Sequence, residues 1–163
     1  MVFVDTDVLS IFAKIERLPL LFVVFDQETL NIAEAVENEV KIGVSKGFSF
    51  SNDIIALQTH GQVRTYHTTL ADQEFMSSLP QTLGAGESES MALCKRFAAI
   101  FASNERRVMH YCKANEIHCI DLVRILRAFW ELQILTQTDV RKVITEIETE
   151  DQLKFRSIDP IFK

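Results

Sequence analysis

Val2-Phe3-Val4-Asp5-Thr6-Asp7 decides how the rest of this chain is read. Three apolar residues in a row, broken by polar ones, read as a buried parallel strand with Asp5 at its carboxyl end. Asp7 is a fair N-cap for a helix carrying Val8, Leu9, Phe12 and Ile15. A buried strand leading directly into a helix is the first unit of an α/β chain.

The same alternation recurs downstream. Thr29 to Ile32 reads as a second strand, followed by a helix from Ala33 to Lys46 that stops at Gly47. Ser49 to Leu57 reads as a short helix and Gln62 to Tyr66 as a strand. Asp72 to Leu79 reads as a helical turn stopped by Pro80, and Leu83 to Gly86 as a loop. A helix is expected from Glu87 to Arg96, a strand at Ala99–Ala102, a helix at Glu105–Ala114 and a strand at Ile117–Ile120. Asp121 then caps a helix with Leu122, Ile125, Leu126, Phe129 and Trp130 on one face. A last helix carries Val140, Val143, Ile144 and Ile147. Leu20 to Phe25 stays ambiguous: Val23 and Val24 suggest strand, whereas Pro19 suits a helical start. The pattern predicts an α/β fold with a mostly parallel sheet, as one domain over residues 1–150 and a C-terminal tail over 151–163.

With 163 residues, 47% of them hydrophobic, the chain has enough apolar surface for one core. Its 23 acids and 17 bases give a net charge of −6, which argues against a bulk basic footprint for nucleic acid. A local basic rim around an acidic, metal-bearing site remains compatible with that charge. Cys94, Cys112 and Cys119 are an odd number without paired spacing and read as reduced thiols, pointing to a cytoplasmic protein. The N-terminus lacks a basic n-region, and the apolar run Leu18–Phe25 is far short of a membrane span, so no membrane partner is expected.

Acidic residues recur where such a fold would gather them. Asp5 follows a strand, and ligands of parallel sheets bind beyond the carboxyl ends of strands. Glu39 shares a helical stripe with Val36, Val40, Gly43 and Val44, whereas Glu37 points elsewhere. Glu87 and Glu89 lie about 200° apart on a helix, so only one faces a given site. Glu87 aligns with Met91 and Cys94 and is the preferred ligand; Glu89 and Asp7 are expected to support the ligands rather than touch the ion. Glu105 follows the last residues of a buried strand. Four carboxylates, Asp5, Glu39, Glu87 and Glu105, form an oxygen-rich set suited to Mg²⁺ or Mn²⁺. Ser103 and Asn104 are either N-caps or groups that orient water or substrate, and Arg106 and Arg107 are candidate phosphate contacts. His110, Cys112, His118 and Cys119 do not match a zinc spacing, and Gly84-Ala85-Gly86 lacks the lysine of a phosphate loop.

Four segments together carry a resemblance. They are Gly86-Glu87-Ser88-Glu89-Ser90-Met91-Ala92-Leu93-Cys94, Val36-Glu37-Asn38-Glu39-Val40, Ser103-Asn104-Glu105-Arg106-Arg107-Val108, and the stretch from Glu116 to Ala128. In order and spacing they resemble a PIN domain, the fold of the ribonuclease toxins of VapC-type toxin–antitoxin pairs, in a prokaryotic branch with a Gly-Glu helix start. The resemblance implies a three-layer α/β/α domain, a short helix at Leu20–Phe25, and acids that bind Mg²⁺ or Mn²⁺ and cleave single-stranded RNA. It brings an antitoxin protein in as a partner and leaves a homodimer open. In the family's usual pair of aspartates, Asn104 stands for the first and Glu105 for the second, so Asn104 is expected to weaken the metal site. Two readings follow: a metal-dependent ribonuclease, and a PIN-like module that binds RNA or protein without cutting. A receiver-like phosphoacceptor domain fits poorly, because Ile120 is followed by Asp121 where that fold needs a lysine.

Overall fold

The computed structural model describes residues 1–163. Five parallel strands form one sheet in the order β3-β2-β1-β4-β5, with ten helices around it in a three-layer α/β/α arrangement. The strands are β1 (Val2–Val4), β2 (Leu30–Ala33), β3 (Val63–Tyr66), β4 (Ile100–Ala102) and β5 (Cys119–Ile120). β1 lies at the centre, which is why all three of its residues are apolar and buried. It pairs with β2 through Phe3 opposite Asn31, and with β4 through Val2 opposite Ile100 and Val4 opposite Ala102. Asn31 is the polar intruder in this layer, and its amide donates to the Val2 carbonyl at 2.8 Å.

From β1 the chain moves outward to β2 and β3, then returns to the other side of β1 for β4 and β5. The direction of winding therefore reverses between β1 and β4. Loops leaving the two strands diverge there and open a crevice beyond their carboxyl ends. The register brings Asp5 and Ser103, the residues after Val4 and Ala102, side by side at that crevice.

The helices are α1 (Thr6–Lys14), α2 (Pro19–Phe25), α3 (Glu34–Ser45), α4 (Ser49–Thr59), α5 (Leu70–Ser77), α6 (Ala85–Phe97), α7 (Arg106–Ala114), α8 (Leu122–Glu131), α9 (Gln137–Glu150) and α10 (Asp159–Phe162). Leu20–Phe25 is helical, with Pro19 at its first position, so the β-branched pair Val23-Val24 does not make a strand. One apolar cluster unites the layers. Phe3, Phe12, Phe101 and Phe129 are fully buried in it, and Phe12 meets Phe129 edge to face at 5.9 Å between ring centres.

Several sequence expectations need correction. Asp5, not Asp7, caps α1: its Oδ1 accepts the Thr6 N–H at 2.8 Å, because β1 passes into α1 through a single extended residue. Ala85 and Gly86 belong to α6 rather than to the loop before it, and Gly84 is the cap. α7 starts at Arg106, with Glu105 as the cap position. The last strand is only Cys119–Ile120, since Ile117 and His118 lie before the ladder. α5 starts at Leu70, where Thr69 and Asp72 form a reciprocal capping box. The C-terminal segment packs onto the core. Ile161 is fully buried, and the Trp130 indole N–H donates to its carbonyl at 2.6 Å. No helix is long and apolar enough to cross a membrane.

Candidate acidic site at the sheet switch point

The switch between β1 and β4 opens onto a cleft of about 300 Å³ with no hydrophobic side chain in its lining. Asp5, Asp7, Glu39, Glu87 and Glu105 line it, together with Arg107. They come from the end of β1, the first turn of α1, the middle of α3, the first turn of α6 and the cap of α7. Residues distant in sequence thus meet because the strand order and the helix starts converge on one crevice.

Asp5 is the most enclosed member, with 6% of its surface exposed. One carboxylate oxygen accepts from the Thr6 amide; the other accepts from the Ser103 hydroxyl at 3.0 Å. The same hydroxyl accepts the Glu105 amide at 3.3 Å, so Ser103 ties the end of β4 to Asp5 and to the start of α7. Burial pushes Asp5 up to about 7. The bonds from Thr6 and Ser103 oppose that shift, and the charges of Asp7 and Glu87 add to it. Asp7 is raised as well, first by partial removal from water and then by Glu105 and Asp151, with Lys14 opposing.

Glu39 corrects the sequence reading of its helix. The buried face of α3 is Val36, Val40 and Gly43, and Val44 is 37% exposed. Glu39 sits beside that face, exposed to the cleft, and its carboxylate accepts the Thr6 hydroxyl. Glu37 points away, as expected, to the Gln58 amide at 2.8 Å and the Thr65 hydroxyl at 3.1 Å. Glu87 turns one oxygen onto the Gly84 amide at 2.7 Å, closing the first turn of α6. Glu89 lies outside the cleft. Its carboxylate accepts the Ala35 amide at 2.8 Å and so caps the unsatisfied start of α3 from a neighbouring helix.

Two contributors were not anticipated. Thr6 serves Glu39, and Gly86 lets α6 approach α3: a Cβ there would stand 3.0 Å from Glu39 Oε1 and 3.2 Å from Val36 Cγ2. The Gly-Glu start of α6 carries the signal, since a glycine inside a helix costs stability unless something must come close.

The turn Asn104-Glu105-Arg106-Arg107 divides between two clefts. Glu105 and Arg107 face the acidic one, and Arg107 also donates to the Thr82 carbonyl at 2.9 Å. Asn104 and Arg106 line a neighbouring cleft of about 560 Å³ instead. Asn104, expected to weaken the acidic site, is in the lining of this neighbouring cleft and not among the residues that line the acidic one.

The donor chemistry fits a hard divalent cation. The lining is polar, the available ligand atoms are carboxylate oxygens, and Asp5 is held near neutrality by burial and like charges that a cation would relieve. Sharing a cleft is nevertheless as far as the acids go: no three of them stand close enough to hold an ion as the side chains are disposed. Glu39 and Glu87 are each turned onto a protein donor, the hydroxyl of Thr6 and the amide of Gly84.

No curated protein matches the chain. A family model, DUF3368, described as a PIN domain, matches residues 1–158. That span takes in the whole sheet, every acid of the cleft and the segment beyond α9 as far as residue 158. Both the nuclease-type α/β/α fold and its acidic switch point agree with it: the chain belongs to the PIN-domain family.

Proposed function

We propose that this chain is a Mg²⁺- or Mn²⁺-dependent endoribonuclease acting on single-stranded RNA, and the toxin of a toxin–antitoxin pair. The observation that carries the reading is one wholly polar cleft at the switch point of a PIN fold, into which four separate segments bring Asp5, Glu39, Glu87 and Glu105. PIN domains generally use divalent metal ions. Asp5, Glu39 and Glu87 would hold the ion, with Glu105 completing the set. When bound, such an ion supplies an acidified water and neutralises charge on the attacked phosphate.

The rest falls to the chain's own residues. Ser103 fixes the carboxylate plane of Asp5 by donating to Oδ2, while the Thr6 amide holds Oδ1. Arg107, anchored on the Thr82 carbonyl, brings a guanidinium to the wall of the same cleft, suited to a phosphate oxygen. Asp7 adds negative charge at the rim.

A second reading, a nucleic-acid- or protein-binding module that does not cut, is favoured by the engagement of Glu39 and Glu87 with protein donors. One experiment separates the two. Purified protein is incubated with fluorescent single-stranded RNAs in Mg²⁺, Mn²⁺ or EDTA. The ribonuclease reading expects internal cleavage with either metal, none in EDTA and none from Asp5→Asn. Binding without cleavage across varied RNAs and both metals would establish the module instead, and EDTA-resistant cleavage would remove the metal mechanism. The toxin role is tested separately, by growth arrest on induction of the wild type but not of Asp5→Asn.

A further inference from the structure

We propose that the larger cleft beside the acidic site binds the phosphate backbone of single-stranded RNA, through Arg106, Lys154 and Arg156. This rests on the ribonuclease reading for its direction, since it places the strand's path on one side of the cutting site. The cleft, of about 560 Å³, lies between the start of α7, the start of α8 and the C-terminal segment 153–157.

Three observations carry it. The first is unspent charge. Lys154, Arg156 and Arg106 are exposed and make no ion pair, no hydrogen bond and no aromatic contact with the protein. Most other cations are committed: Lys14 to Asp151, Arg17 to Glu146, Arg96 to Asp72 and Arg127 to Glu131. In a chain of net charge −6, three free cations lining one cleft are a local exception, and a polyanion needs such an exception to dock. The only acid in the lining, Asp121, is occupied in capping α8 through the Arg124 amide at 2.9 Å.

The second observation is that the cations sit on a fixed support. Leu153, Phe155 and Ile158 pack against the core, the Phe155 amide donates to Glu148 at 3.4 Å, and Trp130 anchors Ile161 further on. Lys154 and Arg156 alternate with these inward residues and so project outward. Phe155, half-buried, adds a ring to the cleft wall, and aromatic faces with cations beside them are the ordinary platform for unpaired bases.

The third is continuity. Asn104 and Arg106 line the cationic cleft, and their immediate neighbours Glu105 and Arg107 line the acidic one. The two clefts share the turn at the start of α7 as a common wall. A strand with one phosphate at the acids therefore meets the cations with its next nucleotides.

The test is anisotropy of a labelled short single-stranded RNA in EDTA, where metal-dependent cutting is silent, at several salt concentrations. Wild type is expected to bind with affinity that falls as salt rises. Lys154→Ala/Arg156→Ala should bind roughly tenfold more weakly, with a log–log salt slope shallower by about 1.4, the loss of two phosphate contacts on a single strand. Arg64→Ala/Lys113→Ala, exposed cations that line neither cleft, should bind like wild type. Unchanged affinity and slope in the 154/156 variant would overturn the inference while leaving the ribonuclease reading intact. Binding as expected in EDTA with no cleavage in Mn²⁺ would sink the ribonuclease reading and uphold this one. No RNA binding by wild type overturns the inference, as does capture of an acidic peptide through Lys154 and Arg156 in place of RNA. Because both residues are exposed, unchanged circular dichroism certifies the variants as folded.

Discussion

The Ser103 hydroxyl donates to Asp5 Oδ2 at 3.0 Å, across the reversal point between β4 and β1. It is the single side-chain bond that Asp5 receives, and it stabilises the charged form of a carboxylate that burial drives toward neutrality. Ser103→Ala is therefore expected to raise Asp5 further and to weaken Mn²⁺ binding roughly tenfold at neutral pH, the scale of one hydrogen bond to a charged group. Titration calorimetry checks it, and Ser103→Thr, which keeps the hydroxyl, should recover most of the affinity. Equal affinity in wild type and Ser103→Ala would mean that Asp5 does not bear the ion.

The raised Asp5 also makes stability depend on pH. Its folded value, about 7, exceeds the 3.8 of an ordinary aspartate, so the folded protein binds more protons between them. The favourable contribution of the protonated carboxyl is complete below about pH 4 and is lost as pH rises through about 7. Without metal, stability should fall over that window by up to about 4 kcal/mol, the equivalent of the shift. Urea denaturation from acid to mildly alkaline pH measures this. Asp5→Asn should flatten the curve, and Mn²⁺ should restore stability to the wild type above neutrality but not in acid. A wild-type curve that already matches Asp5→Asn would show that Asp5 titrates normally.

Gly86 and Gly84 lie two residues apart and should respond differently. A methyl at Gly86 meets Glu39 Oε1 and buried Val36 Cγ2, so Gly86→Ala forces α3 and α6 apart and should cost about 1–3 kcal/mol. At Gly84 the nearest atom, Glu87 Oε2, stands 3.7 Å away, an ordinary contact, and Gly84→Ala should stay within about 1 kcal/mol of wild type. Thermal unfolding of both variants decides. Equal, small losses would mean that the α3–α6 approach is not close.

Legibility in the sequence follows which physical signal each feature leaves. The sheet and the place of Asp5 were readable, because apolar runs at strand spacing mark a parallel sheet and the residue after each run must lie at its carboxyl end. The direction in which a side chain leaves a turn is not so encoded. Asn104 and Glu105 are adjacent, yet they line different clefts at the start of α7. The stripe on α3 gave its axis but not its edge, so Glu39 looked core-facing when it borders the cleft. Thr69-Leu70-Ala71-Asp72 carried a readable capping pattern that marks the true start of α5. Lys154 and Arg156 sit in a tail of weak periodicity, an apolar–basic alternation too short to mark a face; the packing of Leu153 and Phe155 turns them outward.

Glu87 and Glu89 divide their work between cleft and scaffold. Glu89 caps α3 through the Ala35 amide, so Glu89→Ala should lower stability by about 1 kcal/mol and leave Mn²⁺ affinity unchanged. Glu87→Gln keeps an oxygen for the Gly84 amide but removes a charge from the cleft, so it should weaken Mn²⁺ binding with little effect on melting. Calorimetric titration and thermal unfolding on the same two proteins give a crossed pattern if this is right. The reverse pattern would exchange their roles.

Asn104→Asp distinguishes the two clefts most sharply. If Asn104 were a weakened metal ligand, restoring the carboxylate would tighten Mn²⁺ binding. Its side chain instead lines the cationic cleft with Arg106, Lys154 and Arg156. The new charge should leave Mn²⁺ affinity within about twofold of wild type, a sub-kilocalorie effect expected of a charge outside the coordinating set and screened by water. It should lower RNA affinity several-fold at low salt, because a carboxylate then faces the phosphates, and the deficit should shrink as salt rises. Mn²⁺ titration and RNA anisotropy, run on the same preparation, read both quantities. Tighter Mn²⁺ binding with unchanged RNA affinity would return Asn104 to the acidic site and remove it from the wall of the RNA cleft.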